Sequence, residues 1–284
     1  MSAGSVSGME YETDSLLRIF DDLLQTYEVQ INERQQRIDE LKNKSDRESQ
    51  SVSELYNLNQ QFYNEYRPYI SDSAIYYQKK NILLAQETGN LNLIFNSKLQ
   101  LAYFLASIGL YKESVDMLDE IKETDLPPDL LIDYYKCMMH TYGELSFYSK
   151  ENELSNRYRQ TANKYKDLLI SILSPNEDSY LDILESDYRN VRDFTMALKM
   201  NDERLKSAPQ NTQKYALIAF LRSLTYKESG DVQMQQYWLL KSAIADLQLG
   251  ITDNASSWEL ANIRYKMSDI KRAHQYINYS VNNS

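Results

Sequence analysis

Residues Ser229–Ile277 read SGDVQMQQYWLLKSAIADLQLGITDNASSWELANIRYKMSDIKRAHQYI, and within them two turn signals, Gly230-Asp231 and Ser268-Asp269, stand 38 positions apart. A Pro-free segment long enough for a helix lies on each side of both turns. A repeat of this length with two helices per unit specifies a helical solenoid, because one unit cannot bury its apolar face alone and neighbours must stack. Solenoids of this kind bind far more often than they react. The stretch therefore points to an architecture and a mode of action, and leaves the ligand open.

The same register extends outward, with small residues wanted where backbones approach closely. A first unit starts near Leu55, with Leu58, Phe62 and Ala74. The second starts at Phe95 and runs through Leu101, Ala102, Gly109-Leu110-Tyr111, Ser114, Leu118 and Ile121 to Pro127-Pro128. Pro there stops a helix. The third, Asp129 to Leu173, is irregular, with Tyr134, Tyr135, Met138, Met139 and Tyr142 on its first helix and a second helix from about Glu151. A fourth starts near Asp178, with Asp193-Phe194, Ala197, Leu205 and Pro209 at the required intervals, but Glu185 and Arg204 occupy positions where small residues are usual. The fifth and sixth start near Ala216 and Asn254, the last with Leu260-Ala261, Ala273, Ile277 and Ser280. No polar capping helix follows, so helix 270–281 is expected to be exposed, or the natural protein to continue. The expected fold is all-α, a right-handed α-α superhelix of the tetratricopeptide type.

Ahead of the repeats, Leu16, Phe20, Leu23, Tyr27, Ile31, Ile38 and Leu41 recur at spacings of three and four or their sums, the apolar stripe of one long helix with Thr13-Asp14 as N-cap candidates. The expected organisation is a tag or loose tail over 1–10, a long helix over 11–50 packed on the first repeat, and about six helix pairs over 51–284. Self-association of the long helix as a coiled coil is the lesser alternative, because its stripe spans few heptads. Ser51 and Glu54 have the spacing of a capping box after the polar break at 44–51.

Composition narrows the function. Only 7 Gly and 5 Pro occur in 284 residues, too few for the turns of a sheet protein. The formal charge of −10, without a basic stripe, argues against nucleic acid as a partner. No apolar run approaches the roughly 20 residues that cross a bilayer. A single cysteine, Cys137, excludes an internal disulfide. No metalloprotease motif, phosphate-binding glycine loop or nucleophile elbow is present, so neither catalysis nor a cofactor is expected. Cys137 and His140 share a helix face, but two ligands make a weak metal site, and the neighbouring Tyr134, Tyr135, Met138 and Met139 suit a buried thiol.

The long helix with QRIDELK (36–42), DSAIYYQKKNILLA (72–85) and SAIADLQLGITDNASSWELA (242–261) followed by SDIKRAHQYI (268–277) resembles a family of tetratricopeptide-like proteins of the Bacteroidetes. Members of that family look like membrane-anchored regulators with an exported repeat domain, one transmembrane helix and a cytoplasmic part resembling a transcriptional regulator. The resemblance implies that this chain is the sensory part, on the periplasmic side of the inner membrane and joined to the membrane only through a further C-terminal segment. The alternative is a cytoplasmic scaffold or peptide receptor of the same architecture without an anchor.

In such a fold the first helix of each pair lines the inner surface. The expected groove residues are Asn96, Leu99, Tyr103, Ala106 and Ser107 in the second unit and Asp182, Arg189 and Asn190 in the fourth. Phe220 and Lys227 follow in the fifth, and Trp258, Asn262, Tyr265 and Lys266 in the sixth. Their mixed polar and aromatic character suits an extended peptide, a partner protein or a glycan, and a homodimer is a further expected partner. An ordinary solvated helix face has the same composition.

Overall fold

A computed structural model describes residues 3–45, 51–251 and 255–282, with backbone alone for 3–10 and 282. The polar break before Ser51 and the start of the sixth unit at Asn254 lie largely outside those residues. The described residues form thirteen α-helices and no strand. After α1 (Ala3–Ser45) they pair in order: α2 (Val52–Tyr66) with α3 (Ser71–Thr88), α4 (Leu91–Ser107) with α5 (Tyr111–Asp119), and α6 (Leu131–Tyr148) with α7 (Asn152–Ile172). The remaining pairs are α8 (Asp178–Asn190) with α9 (Phe194–Lys206), α10 (Gln213–Ser229) with α11 (Val232–Gln248), and α12 (Ala255–Lys266) with α13 (Ile270–Asn282). This is the all-α, tetratricopeptide-like solenoid that the repeat specifies.

The repeated turn has one physical design. Backbone N–H groups of Leu110, Asp193, Asp231 and Asp269 each reach back five residues, to the carbonyls of Leu105, Tyr188, Tyr226 and Arg264, at 2.8–3.0 Å. The residue just before each donor is left-handed: Gly109 and Gly230 at φ 85°, Arg192 at 62° and Ser268 at 63°. Closing the helix end this way satisfies its last carbonyls. Asp193 and Asp231 then cap the next helix by accepting from the N–H of Met196 and Met234, and Asp269 accepts from Arg272. The Gly-Asp and Ser-Asp pairs of the opening stretch are thus C-cap and N-cap in two consecutive residues. Upstream, Ser51 and Glu54 form the expected capping box, with bonds of 2.8 and 3.3 Å.

Small residues sit where helices cross: Ala74, Ala102, Ser114, Ala197, Ala219 and Ser242 are fully buried. Ser114 donates to the Ala102 carbonyl at 2.8 Å and Ser242 to that of Ala216 at 2.9 Å. The irregular third pair is pinned differently, by Ser146 and Ser155 each donating to the other's carbonyl.

The chain divides into two compact units, residues 38–175 with α2–α7, and residues 176–284 with α8–α13 together with α1 up to Arg37. In the α2–α7 unit, Ile38 and Leu41 of α1 lie in one cluster with Leu58, Phe62, Tyr63, Tyr66 and Ala74. In the α8–α13 unit, Leu17, Phe20 and Leu24 of α1 lie in a cluster with Leu239, Leu240, Leu260, Ile263, Tyr276 and Tyr279. Phe20 meets Tyr276 edge-on at 4.9 Å, and Tyr27 meets Tyr279 at 5.4 Å. Two expectations change. Helix α1 runs from Ala3, so Thr13 and Asp14 lie within it and not at its N-cap. Nor is α13 left bare: Tyr276 is fully buried and Tyr279 nearly so, and α1 supplies the cover that a terminal capping helix would. Each such aromatic side chain contributes about 1.5–3 kcal/mol by burial.

Candidate binding surface

In the α2–α7 unit the helical spacing 96, 100, 103, 107 places four side chains of α4 on one stripe. Asn96 accepts from Gln100 at 3.2 Å, and the Gln100 carbonyl oxygen accepts from Gln60 at 3.0 Å and from buried Gln78 at 3.3 Å. Further along, the Tyr103 ring stacks on His140 of α6 at 4.3 Å, and Ser107 Oγ lies 3.2 Å from His140 Nε2. Burial holds His140 below its ordinary pKa, so its neutral ring is the favoured partner. Asn96 is thus joined to Gln60 through Gln100, and Tyr103 and Ser107 both meet His140, two groups on one stripe of α4. Leu99 and Ala106 do not share this surface; both are buried.

Cys137 and His140 diverge despite sharing a helix. The Cys137 thiol donates to the Leu99 carbonyl at 3.7 Å, while His140 faces Tyr103. Burial pushes the thiol up to about 12, so it is not a reactive thiolate at neutral pH. Among the described residues no group of three or more His, Cys, Asp or Glu could hold a metal ion.

The α8–α13 unit has a different electrostatic character. Asp178, Asp182 and Glu185 recur at four and three residues on α8 and converge on the buried Arg204 of α9, at 3.2, 2.5 and 2.7 Å. Glu185 also accepts from Asn201 at 2.9 Å. Arg189 is tied down by Glu185 at 3.7 Å, by Glu228 at 3.9 Å and by the Leu221 carbonyl. Lys227 of α10 pairs with Glu259 of α12 at 2.5 Å. Asp182 and Arg189 thus belong to a structural ion network. Phe220 packs on the Leu239–Leu260 core cluster. Asn190, Lys227, Trp258, Tyr265 and Lys266 stand exposed, and Asn262 is half-buried.

Gln60, Gln78, Gln100 and His140 do not figure in the sequence-expected set. For Gln100 a signal existed, since it falls between Asn96 and Tyr103 on the same stripe. The partners on α2, α3 and α6 come from tertiary packing, which spacing along one helix does not carry.

Residues 24–284 match the family described as the SusR N-terminal TPR domain. The chain belongs to that family. A search of curated proteins returned no match. The part of α1 that carries Leu17, Phe20 and Asp21 lies ahead of the residues matched to the SusR N-terminal TPR domain. TPR domains are generally non-catalytic scaffolds that bind proteins or peptides, and no helix of this one is long and apolar enough to cross a membrane, among the described residues.

Proposed function

We propose that this SusR-type TPR domain is a sensor that binds a peptide or partner protein on its inner helix faces and serves a membrane-anchored regulator. The observation that carries the reading is the α4 stripe that bears both Asn96–Gln100–Gln60 and Tyr103–His140–Ser107, where half-exposed amides and ring faces follow one another along one helix. Neutral amides pair with a peptide main chain, and ring faces cover its side chains. The family description, an N-terminal TPR domain of SusR, supports a module that other segments accompany. In this reading the anchor lies in such a segment and the repeats face the periplasm. Of the exposed groove positions, Trp258 and Tyr265 extend the binding role to the α8–α13 unit. Ligand binding acts on a regulator only through different affinities for two states.

The test is site-specific photo-crosslinking in cells that express the full-length protein. A photoreactive phenylalanine analogue at position 103 is expected to give discrete protein adducts, and one at the exposed position 76 is not. A fused topology reporter should place the domain outside the cytoplasm. Equal crosslinking from both positions, or none from 103, would count against the groove. A cytoplasmic reporter signal would count against the anchored regulator.

A further inference from the structure

Glu144 stands on α6 one turn beyond His140 and one turn before Phe147 and Tyr148, so the helix puts these side chains on one stripe. The stripe is aromatic at both ends. His140 stacks on Tyr103, the Tyr148 ring stacks on Tyr111 of α5 at 5.8 Å and 27°, and Phe147 meets Tyr148 edge-on at 5.0 Å. Phe147 and Tyr148 are 78% and 61% exposed, so these rings are not spent on the core. Glu144 is half-buried among them, and it makes no hydrogen bond or ion pair with any described residue.

Acids of the same unit that also lack such a bond, such as Asp72, Glu113 and Asp133, stand exposed to water, and others are answered within the fold. Glu120 pairs with Lys98, Asp116 with Lys112, and Glu123 accepts from Tyr135. Burial alone moves the Glu144 carboxyl, upward, and its charge is felt by the Tyr111 phenol. A carboxylate partly withdrawn from water is unfavourable until a donor or a cation meets it. Ring faces carry negative potential and attract the same kind of group. A cation satisfies both features at once, and an anion satisfies neither.

We propose that Glu144, framed by Tyr111 and Tyr148, is the docking point for a lysine or arginine side chain of the bound peptide. The inference rests on the peptide-binding reading above and names the chemistry of its partner. The net charge of −10 favours approach of a basic partner.

Nine-residue peptides of Gly, Ser and Ala with a central lysine, arginine, norleucine or glutamate distinguish the outcomes, titrated against the intact chain by NMR of the tyrosine and histidine rings. The lysine and arginine peptides are expected to bind about tenfold more tightly than the norleucine peptide, as one partly exposed cation–π contact and one half-buried ion pair together supply. Glu144→Gln should abolish that difference and leave the norleucine peptide unaffected, and Tyr148→Leu should reduce it. Circular dichroism melting of each variant shows whether the fold is kept. Equal binding of the four peptides, or a basic preference that survives Glu144→Gln, overturns the docking point and leaves peptide binding standing. Absence of binding by every peptide overturns both.

Discussion

Removing the Arg204 guanidinium should unseat the α8–α13 unit more than any other single charge deletion there. The side chain is 2% exposed and answers three carboxylates, of which Glu185 is itself 1% exposed. In Arg204→Ala, Glu185 keeps the Asn201 amide at 2.9 Å and Arg189 at 3.7 Å, too little for an ion held away from water. Breaking one side of a buried pair costs about 3–5 kcal/mol. For a unit of roughly 150 residues that is a fall in melting temperature of about 6–20 °C. Glu185→Ala should cost less, about 1–3 kcal/mol, because Arg204 keeps Asp178 and Asp182. The double variant restores the small residues a repeat usually carries, and its cost should fall below the sum of the singles by about 1–3 kcal/mol.

The pH dependence gives a second handle. Burial, opposed by Arg204, raises the pKa of Glu185 and of Asp182. The folded state therefore holds these protons more tightly than the unfolded chain, and their share of stability grows as pH falls through the raised values toward the ordinary carboxylate range. Without Arg204 the upward shift increases, so the deficit of Arg204→Ala should shrink between pH 7 and 5. Circular dichroism melting of the four proteins at both pH values measures all of this. A loss under about 3 °C for Arg204→Ala, additive singles, or a deficit that widens on acidification would refute the reasoning. The practical consequence is that alanine at Asp182 or Arg189 probes stability before it probes binding.

Four further outcomes rest on particular residues. Burial lowers the pKa of His140, so its contribution is complete above the ordinary imidazole value of about 6.5 and is lost as pH falls through the lowered one; an NMR midpoint at or above 6.5 would contradict this. Ser268 holds φ 63°, a conformation that costs a side chain about 1–2 kcal/mol, so Ser268→Gly should stabilise by about 0.5–1 kcal/mol in thermal melts. Gly230→Ala, with open space around its Cβ but φ 85°, should destabilise by about 1 kcal/mol. Phe20→Ala should cost about 3–5 kcal/mol and speed proteolysis within α1, because its ring is fully buried against Tyr276; unchanged cleavage would show that α1 is held elsewhere.

Much of the fold was legible because its determinants are local. Turn residues at 230 and 268 and caps at Asp231 and Asp269 act through the backbone within a few positions, small residues at 102, 114 and 197 recur where helices cross, and their interval carries the solenoid. The α1 stripe was legible for the same reason. What covers it was not, because spacing records that Phe20 needs an apolar partner and does not record that Tyr276 is that partner. The polar anchor of this contact, Asp21 accepting from Arg272 at 2.8 Å and from the Tyr276 hydroxyl at 2.7 Å, looks in sequence like one half of an ordinary exposed acidic pair.

The same limit governs the candidate surface, where side chains of one type have different fates. Arg189 and Lys227 are expected groove residues of like charge, yet one is held against Glu185 and the other bridges to Glu259. Glu185 and Glu144 are both glutamates on the first helix of a pair, yet Glu185 meets Arg204 and Glu144 meets no cation. A charge already paired within the fold must lose that partner before it can serve another, and the lost interaction is subtracted from the affinity. An unpaired, partly desolvated charge has no such loss to offset. Binding energy is therefore most available where packing has left a charge unanswered, and on α6 that place is the aromatic stripe around Glu144.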